Sequence, residues 1–204
     1  MDSSPSPAFP PDLQVLVDLF YSSFDSVGRF TELVAAEMPQ PFRRLLAHDE
    51  HMTVTVEAFF GGPVTVEVLA VHRTPTHYSR KIVLRRSADR RAVLFGLVRL
   101  NLGFLDPTVR SEIESERIPL GRVLIEHNVL RNVRLLSLWR IEPNSELRAI
   151  FELGEADQLA HASSGEATCY GRTALIYCNG VPAVELLEIV TPREASLPKV
   201  VSSP

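Results

Sequence analysis

Three β-rich runs, at residues 64–73, 78–86 and 92–102, follow one another with only 74–77 and 87–91 between them. The connections carry turn residues, among them Thr74-Pro75 and Ser87-Ala88-Asp89. A parallel crossover takes a dozen or more residues, so connections this short make the runs antiparallel neighbours. Three further runs, at 133–141, 167–178 and 183–190, also read as strands, with Asn179-Gly180 as the hairpin turn between the last two. Residues 108–116 and 120–127 read as helices, and the spacing of Leu13, Leu16, Leu19, Phe20 and Phe24 predicts an amphipathic helix over 12–27. Phe30, Leu33 and Val34 suit a further helix, broken by Pro39 and Pro41. Residues 52–60 are ambiguous: alternating Thr and Val argue strand, whereas Asp49 as a cap and Gly61-Gly62 as a stop argue helix. The sum is an α+β chain with a single antiparallel sheet of about six strands and no internal repeat.

A chain of 204 residues suits one domain, 1–204, with Pro- and Ser-rich segments at 1–10 and 193–204 expected to be flexible tails. The composition, 45% apolar and 23% charged, is that of a globular protein and argues against wholesale disorder. A formal charge of −4 without any Lys/Arg run gives no footprint for nucleic acid. An anionic ligand must therefore be attracted by a few placed arginines rather than by the overall field. No apolar stretch approaches the ~20 residues that span a bilayer, so no membrane is expected. Asp2 and the lack of a basic leader do not read as a secretory signal, which favours a cytoplasmic protein. Cys169 and Cys178, an odd number of residues apart on one run, would point to opposite faces and are expected to be free thiols.

Searches for phosphate loops, dinucleotide fingerprints, a zinc helix motif, paired cysteines and a nucleophile elbow all fail. His48-Asp49-Glu50-His51 is the one metal-like cluster, but further ligands at useful spacing are missing, and a solvated or supporting role is the better reading. Two charges stand out instead. Alternation places Arg80 on the same strand face as Ile82 and Leu84, while Lys81, Val83 and Arg85 share the other. If the first face is the core face, a guanidinium sits among apolar groups, which is costly unless it is paired or meets a bound anion. Glu188 poses the same question with opposite sign, sharing a face with Leu186 and Val190 while Glu185 lies opposite. Alternation alone leaves a snorkelling or internally paired arginine, and a structural ion pair at Glu188, as the simpler alternatives.

Five segments, in order, resemble the chorismate pyruvate-lyase family: 45–53 ending in Met52-Thr53, 77–84 around Arg80, 118–124 with Pro119-Leu120-Gly121-Arg122, 170–182 from Tyr170-Gly171-Arg172 to Asn179-Gly180-Val181-Pro182, and 188–192 from Glu188 to Pro192. None is specific alone, but their order is hard to obtain by chance. The resemblance implies a sheet with helical flaps enclosing a buried ligand, and it tips 52–60 towards helix. It further implies elimination of pyruvate from chorismate to give 4-hydroxybenzoate, without metal or organic cofactor. Arg80 would hold the ring carboxylate, helped by the backbone at Met52 and around Leu120 and Gly121, and Glu188 would reach the 4-hydroxyl. A second basic residue should meet the enolpyruvyl carboxylate, with Arg99, Arg122 and Arg172 as candidates, each with a structural alternative. The interval from Gly180 to Glu188 is one residue longer than in the enterobacterial type, so a bulge or a displaced glutamate, with Glu185 as fallback, stays open. The strand ending Arg99-Leu100-Asn101-Leu102 also departs from the ubiquinone-pathway enzymes, which leaves open the product isomer.

Three other functions fit the same residues less well. A small-acid-sensing regulator needs a DNA-binding unit, and residues 1–45 contain no helix-turn-helix pattern. A non-catalytic aromatic-acid binder would carry the same Arg80 and Glu188, and a lyase giving another hydroxybenzoate isomer would differ only in detail.

Overall fold

The computed structural model describes residues 13–129, 132–154, 168–178 and 180–192. The segments expected to be tails, and Asn179 of the expected turn, lie outside these residues. Seven strands form one sheet: β1 (Gly28–Leu33), β2 (Val64–Arg73), β3 (His77–Arg86), β4 (Ala92–Asn101), β5 (Asn132–Pro143), β6 (Cys169–Cys178) and β7 (Val181–Val190). Every neighbouring pair is antiparallel, in the order β1-β5-β6-β7-β4-β3-β2. The short turns place β2, β3 and β4 side by side as a meander, and Gly180 closes the β6–β7 hairpin at φ +80, a conformation open to glycine.

Six strands lie where alternation puts them, and β1 is the correction. Phe30 and Leu33, read as helical neighbours, belong to an edge strand in which Phe30 faces Ile141 and packs against Trp139. The helix expected over 12–27 is likewise shorter. It spans only α1 (Leu13–Asp18), and Phe24–Ser26 forms a separate 3-10 turn. Pro39 and Pro41 start a helix rather than break one: α2 (Gln40–Leu46) begins just after Pro39 and carries Pro41 in its first turn, where a missing N–H costs nothing. The ambiguous segment is α3 (Met52–Phe60), stopped by Gly61 in the left-handed conformation. α4 (Pro107–Glu114), α5 (Leu120–Glu126) and α6 (Ser145–Ile150) complete the set.

The two sheet faces are covered differently. Phe95, Leu97, Leu187 and Ile189 point to the side where α1 and α6 pack, joining Leu16, Val17 and Leu147 in one buried cluster. The opposite residues of the same strands face α2 to α5, in two clusters. One includes Val98, Leu186, Leu120 and Val123, and the other Ile82, Leu94, Met52 and Phe42. Between those two clusters the helices roof a cavity. β6 holds Cys169 and Cys178 at its two ends, and Cys169 is a buried free thiol.

Candidate functional site

The cavity lies on the α2–α5 side of β3, β4, β7 and β6, and its atom-free space, opening to solvent included, is about 530 Å³. Ile82, Leu94, Val98 and Leu186 make its floor apolar. Gly96, at the centre of the floor, has no side chain to fill it, and a Cβ there would press on Ile82 at 3.1 Å. Met52 and Thr53 from α3, and Pro119, Leu120 and Gly121 at the start of α5, form the roof. Gly121 allows the two roof helices to touch, since a Cβ at that position would lie 2.9 Å from the Thr53 hydroxyl. Arg122 and Glu57 join the same helices by an ion pair, while Glu57 also accepts the Val64 N–H at 2.9 Å.

Arg80 stands at one end of the floor. Its register partner is Val98, which pairs with Leu186, so it belongs to an apolar row crossing the sheet. It is only 1% exposed, and its Nε, Nη1 and Nη2 have no hydrogen-bond partner among the described residues. Burial pushes its pKa below the ordinary value, an effect opposed by the nearby Tyr78 phenol and the Glu116 carboxylate. Tyr78 donates its hydroxyl to Glu116 at 3.2 Å, and its phenol oxygen lies near Arg80. A guanidinium does not lose its proton in a protein, so the site carries a buried cation with no ion pair among the described residues.

Glu188 lies two residues along and two strands over, roughly 12 Å away at Cα given strand spacings of ~4.8 Å and ~3.3 Å per residue. It is 9% exposed and ion-paired, accepting from Arg172 Nε at 2.8 Å across the β6–β7 ladder. Arg172, also 1% exposed, donates from Nη1 to the His48 carbonyl at 2.8 Å and from Nη2 to the Glu50 carbonyl at 3.1 Å. It therefore holds the loop between α2 and α3 against the sheet. A further tie comes from Asp49, which accepts the Leu135 N–H at 2.9 Å.

The histidine cluster divides within this loop. His48 Nε2 donates to the Leu45 carbonyl at 2.7 Å, and its Nδ1 accepts from the Glu50 N–H at 3.1 Å. Both ring nitrogens are thereby used, in the neutral form, and burial together with Arg172 lowers the His48 pKa. His51 lines the cavity instead, and burial and Arg172 lower its pKa too.

Of the residues singled out from sequence, Arg80, Glu188, Arg172, Met52, Leu120 and Gly121 converge on this cavity. Arg99 does not. Its parity on β4 is opposite to Val98, and it pairs with Glu185 at 3.3 Å. That also places the fallback Glu185 off the cavity face. Arg122 is committed to Glu57 between the roof helices, a partner on a distant segment rather than within its own helix. His51 was missed as a cavity residue because its spacing to His48 reads as a metal motif. The β6–β7 ladder carries a bulge before Glu188. Tyr177 pairs with Pro182 and Ile176 with Val184, so Ala183 is left over and Glu188 keeps its place opposite Arg172.

No protein-family model matches the sequence, and no curated protein matches it. Solved structures share the architecture. PhnF from Mycobacterium smegmatis aligns with a TM-score of 0.50 at 11% identity, over 70% of this chain and 64% of PhnF. The C-terminal domain of the histidine utilization repressor from Pseudomonas syringae pv. tomato aligns at 0.47 and 9% identity, over 69% of this chain and 99% of the domain. A GntR-family transcriptional regulator from Bacillus cereus gives 0.45 and 8%, over 68% and 99%. The likeness is one of fold. Fold and site together define an α+β domain built on one antiparallel sheet, with a pocket between the sheet and the helices that cover it. No helix among the described residues is long and apolar enough to cross a membrane.

Proposed function

We propose that this chain is a chorismate pyruvate-lyase, a cytoplasmic enzyme that eliminates pyruvate from chorismate to give 4-hydroxybenzoate. The observation that carries the reading is Arg80: a fully buried cation, without a hydrogen-bond partner among the described residues, at the end of an apolar cavity floor. Such a charge is expensive, and a planar carboxylate satisfies it bidentately. A single ring laid across β4 places its carboxylate at Arg80 and its 4-hydroxyl at Glu188. The first-turn N–H groups of α3 at Met52, and those at Leu120 and Gly121, have no acceptor within their own helices and lie at the roof.

The chemistry asks little of the protein. Loss of the ring hydrogen and the enolpyruvyl ether restores aromaticity, so holding one reactive conformer away from water supplies most of what is needed. Arg80 and Glu188 fix the two ring ends, and the helical roof excludes solvent. No metal or organic cofactor is invoked.

The test is to incubate the purified, metal-free protein with chorismate, following pyruvate by a coupled assay and aromatic products by chromatography. Equimolar pyruvate and 4-hydroxybenzoate are expected. Another hydroxybenzoate isomer would keep the chemistry and change the product. Tight binding of 4-hydroxybenzoate without turnover would replace the lyase with a non-catalytic aromatic-acid binder.

A further inference from the structure

Resting on the aromatic-acid reading above, we infer that His51 is the side chain that receives the enolpyruvyl group of the substrate, donating a hydrogen bond to its carboxylate. The enolpyruvyl ether stands on the ring carbon next to the one that carries the hydroxyl. A ring anchored by Arg80 at one end and Glu188 at the other must therefore project this group onto the wall beside Glu188.

Two polar side chains form that wall. Arg172 supplies positive charge, but Glu188, the His48 carbonyl and Nδ1, and the Glu50 carbonyl engage most of its N–H groups. Arg99 and Arg122 are elsewhere, each with its own carboxylate. His51 remains. It is half-buried on the cavity wall at the head of α3, and among the described residues its imidazole has no hydrogen-bond partner. Its backbone is fixed on both sides. The Glu50 carbonyl before it is held by Arg172, and its own carbonyl accepts the Thr55 N–H at 3.1 Å.

Arg172, Glu188 and Glu50 are the charged groups that act on it, and burial with Arg172 favours the neutral ring. A neutral imidazole still carries one N–H, enough to donate a hydrogen bond to a carboxylate. His51 thus discriminates between two ligands of the same pocket. It touches the substrate, which has the side chain, and leaves the hydroxybenzoate product alone.

The experiment compares wild type with His51→Ala and His51→Gln on two probes, chorismate and 4-hydroxybenzoate. For an active enzyme the readouts are kcat/KM for chorismate and the inhibition constant of 4-hydroxybenzoate; for an inert one they are the two dissociation constants. Loss of a hydrogen bond to a charged group predicts about a 10- to 100-fold loss for chorismate in His51→Ala, with 4-hydroxybenzoate unchanged. His51→Gln, which keeps an N–H donor, should recover part of the loss. Equal losses for both ligands would assign His51 a structural role, and no loss for chorismate would remove it from the site; either result overturns the inference. Wild-type protein that binds neither ligand overturns the aromatic-acid reading and the inference together, an outcome distinct from any effect of a His51 variant.

Discussion

Arg80 and Arg172 are buried to the same degree, on the same face of one sheet, and open onto the same cavity. Arg172 is surrounded by acceptors, whereas Arg80 has none among the described residues. Burial of a charge therefore says little by itself, and its partners decide what it means. A satisfied guanidinium is part of the scaffold, here joining β7 to the loop before α3. An unsatisfied one lowers the stability of the empty fold.

The largest expected effect lies at the bare end. Arg80→Met should weaken 4-hydroxybenzoate binding by about 10²- to 10⁴-fold, the loss of a bidentate charge-assisted contact, and should abolish turnover of chorismate. Calorimetric titration against wild type checks this, and unchanged affinity would erase the distinction between the two arginines. The same pair should differ in the sign of its stability effect. Arg172→Met leaves Glu188 buried without its cation and should cost about 3–5 kcal/mol. Arg80→Met removes an uncompensated charge and should raise ligand-free stability by about 1–4 kcal/mol. Urea unfolding of both variants tests this, and destabilisation of similar size in both would make Arg80 a structural residue.

A smaller effect is expected at the roof. Gly121→Ala places a methyl against the Thr53 hydroxyl and should separate α5 from α3 at a cost of about 1–3 kcal/mol. Faster product release measured by stopped flow would show the roof loosening. Smallest of all is the effect of pH. His48, His51 and His77 all have lowered pKa values, with burial the largest cause at each. The unfolded chain then binds more protons than the folded one, so stability is full above ~6.5 and declines as pH falls from there through the folded-state values. A His48→Asn variant should flatten that decline in thermal melts between pH 7 and 5.

The sheet was largely legible because strand alternation and short turns are local signals. β1 was not, since an edge strand with residues such as Arg29, Thr31 and Glu32 shows little alternation, and Phe30 and Leu33 happen to match a helical spacing. Arg80 and Glu188 were legible as charges at apolar parity. The parity that singled them out also separates Arg99 from the cavity face, so that candidate was open to exclusion from the strand pattern. Arg122 was not open in this way, because its partner Glu57 lies 65 residues away on another helix. His51 left its signal in the sequence as one of a histidine pair, but only the folded loop shows that His48 is consumed by hydrogen bonds while His51 faces the ligand space.

The bulge at Ala183 carries a consequence for how such hairpins vary. A strand has a two-residue repeat, so one added residue inverts the facing of everything after it, as a single inserted nucleotide shifts a reading frame. Bulging out one residue restores the frame before Glu188 is reached. The tip of the β6–β7 hairpin can therefore change length while the acid end of the pocket stays in place. A glutamate in related chains is better located by its ladder partner, the counterpart of Arg172, than by counting from the turn.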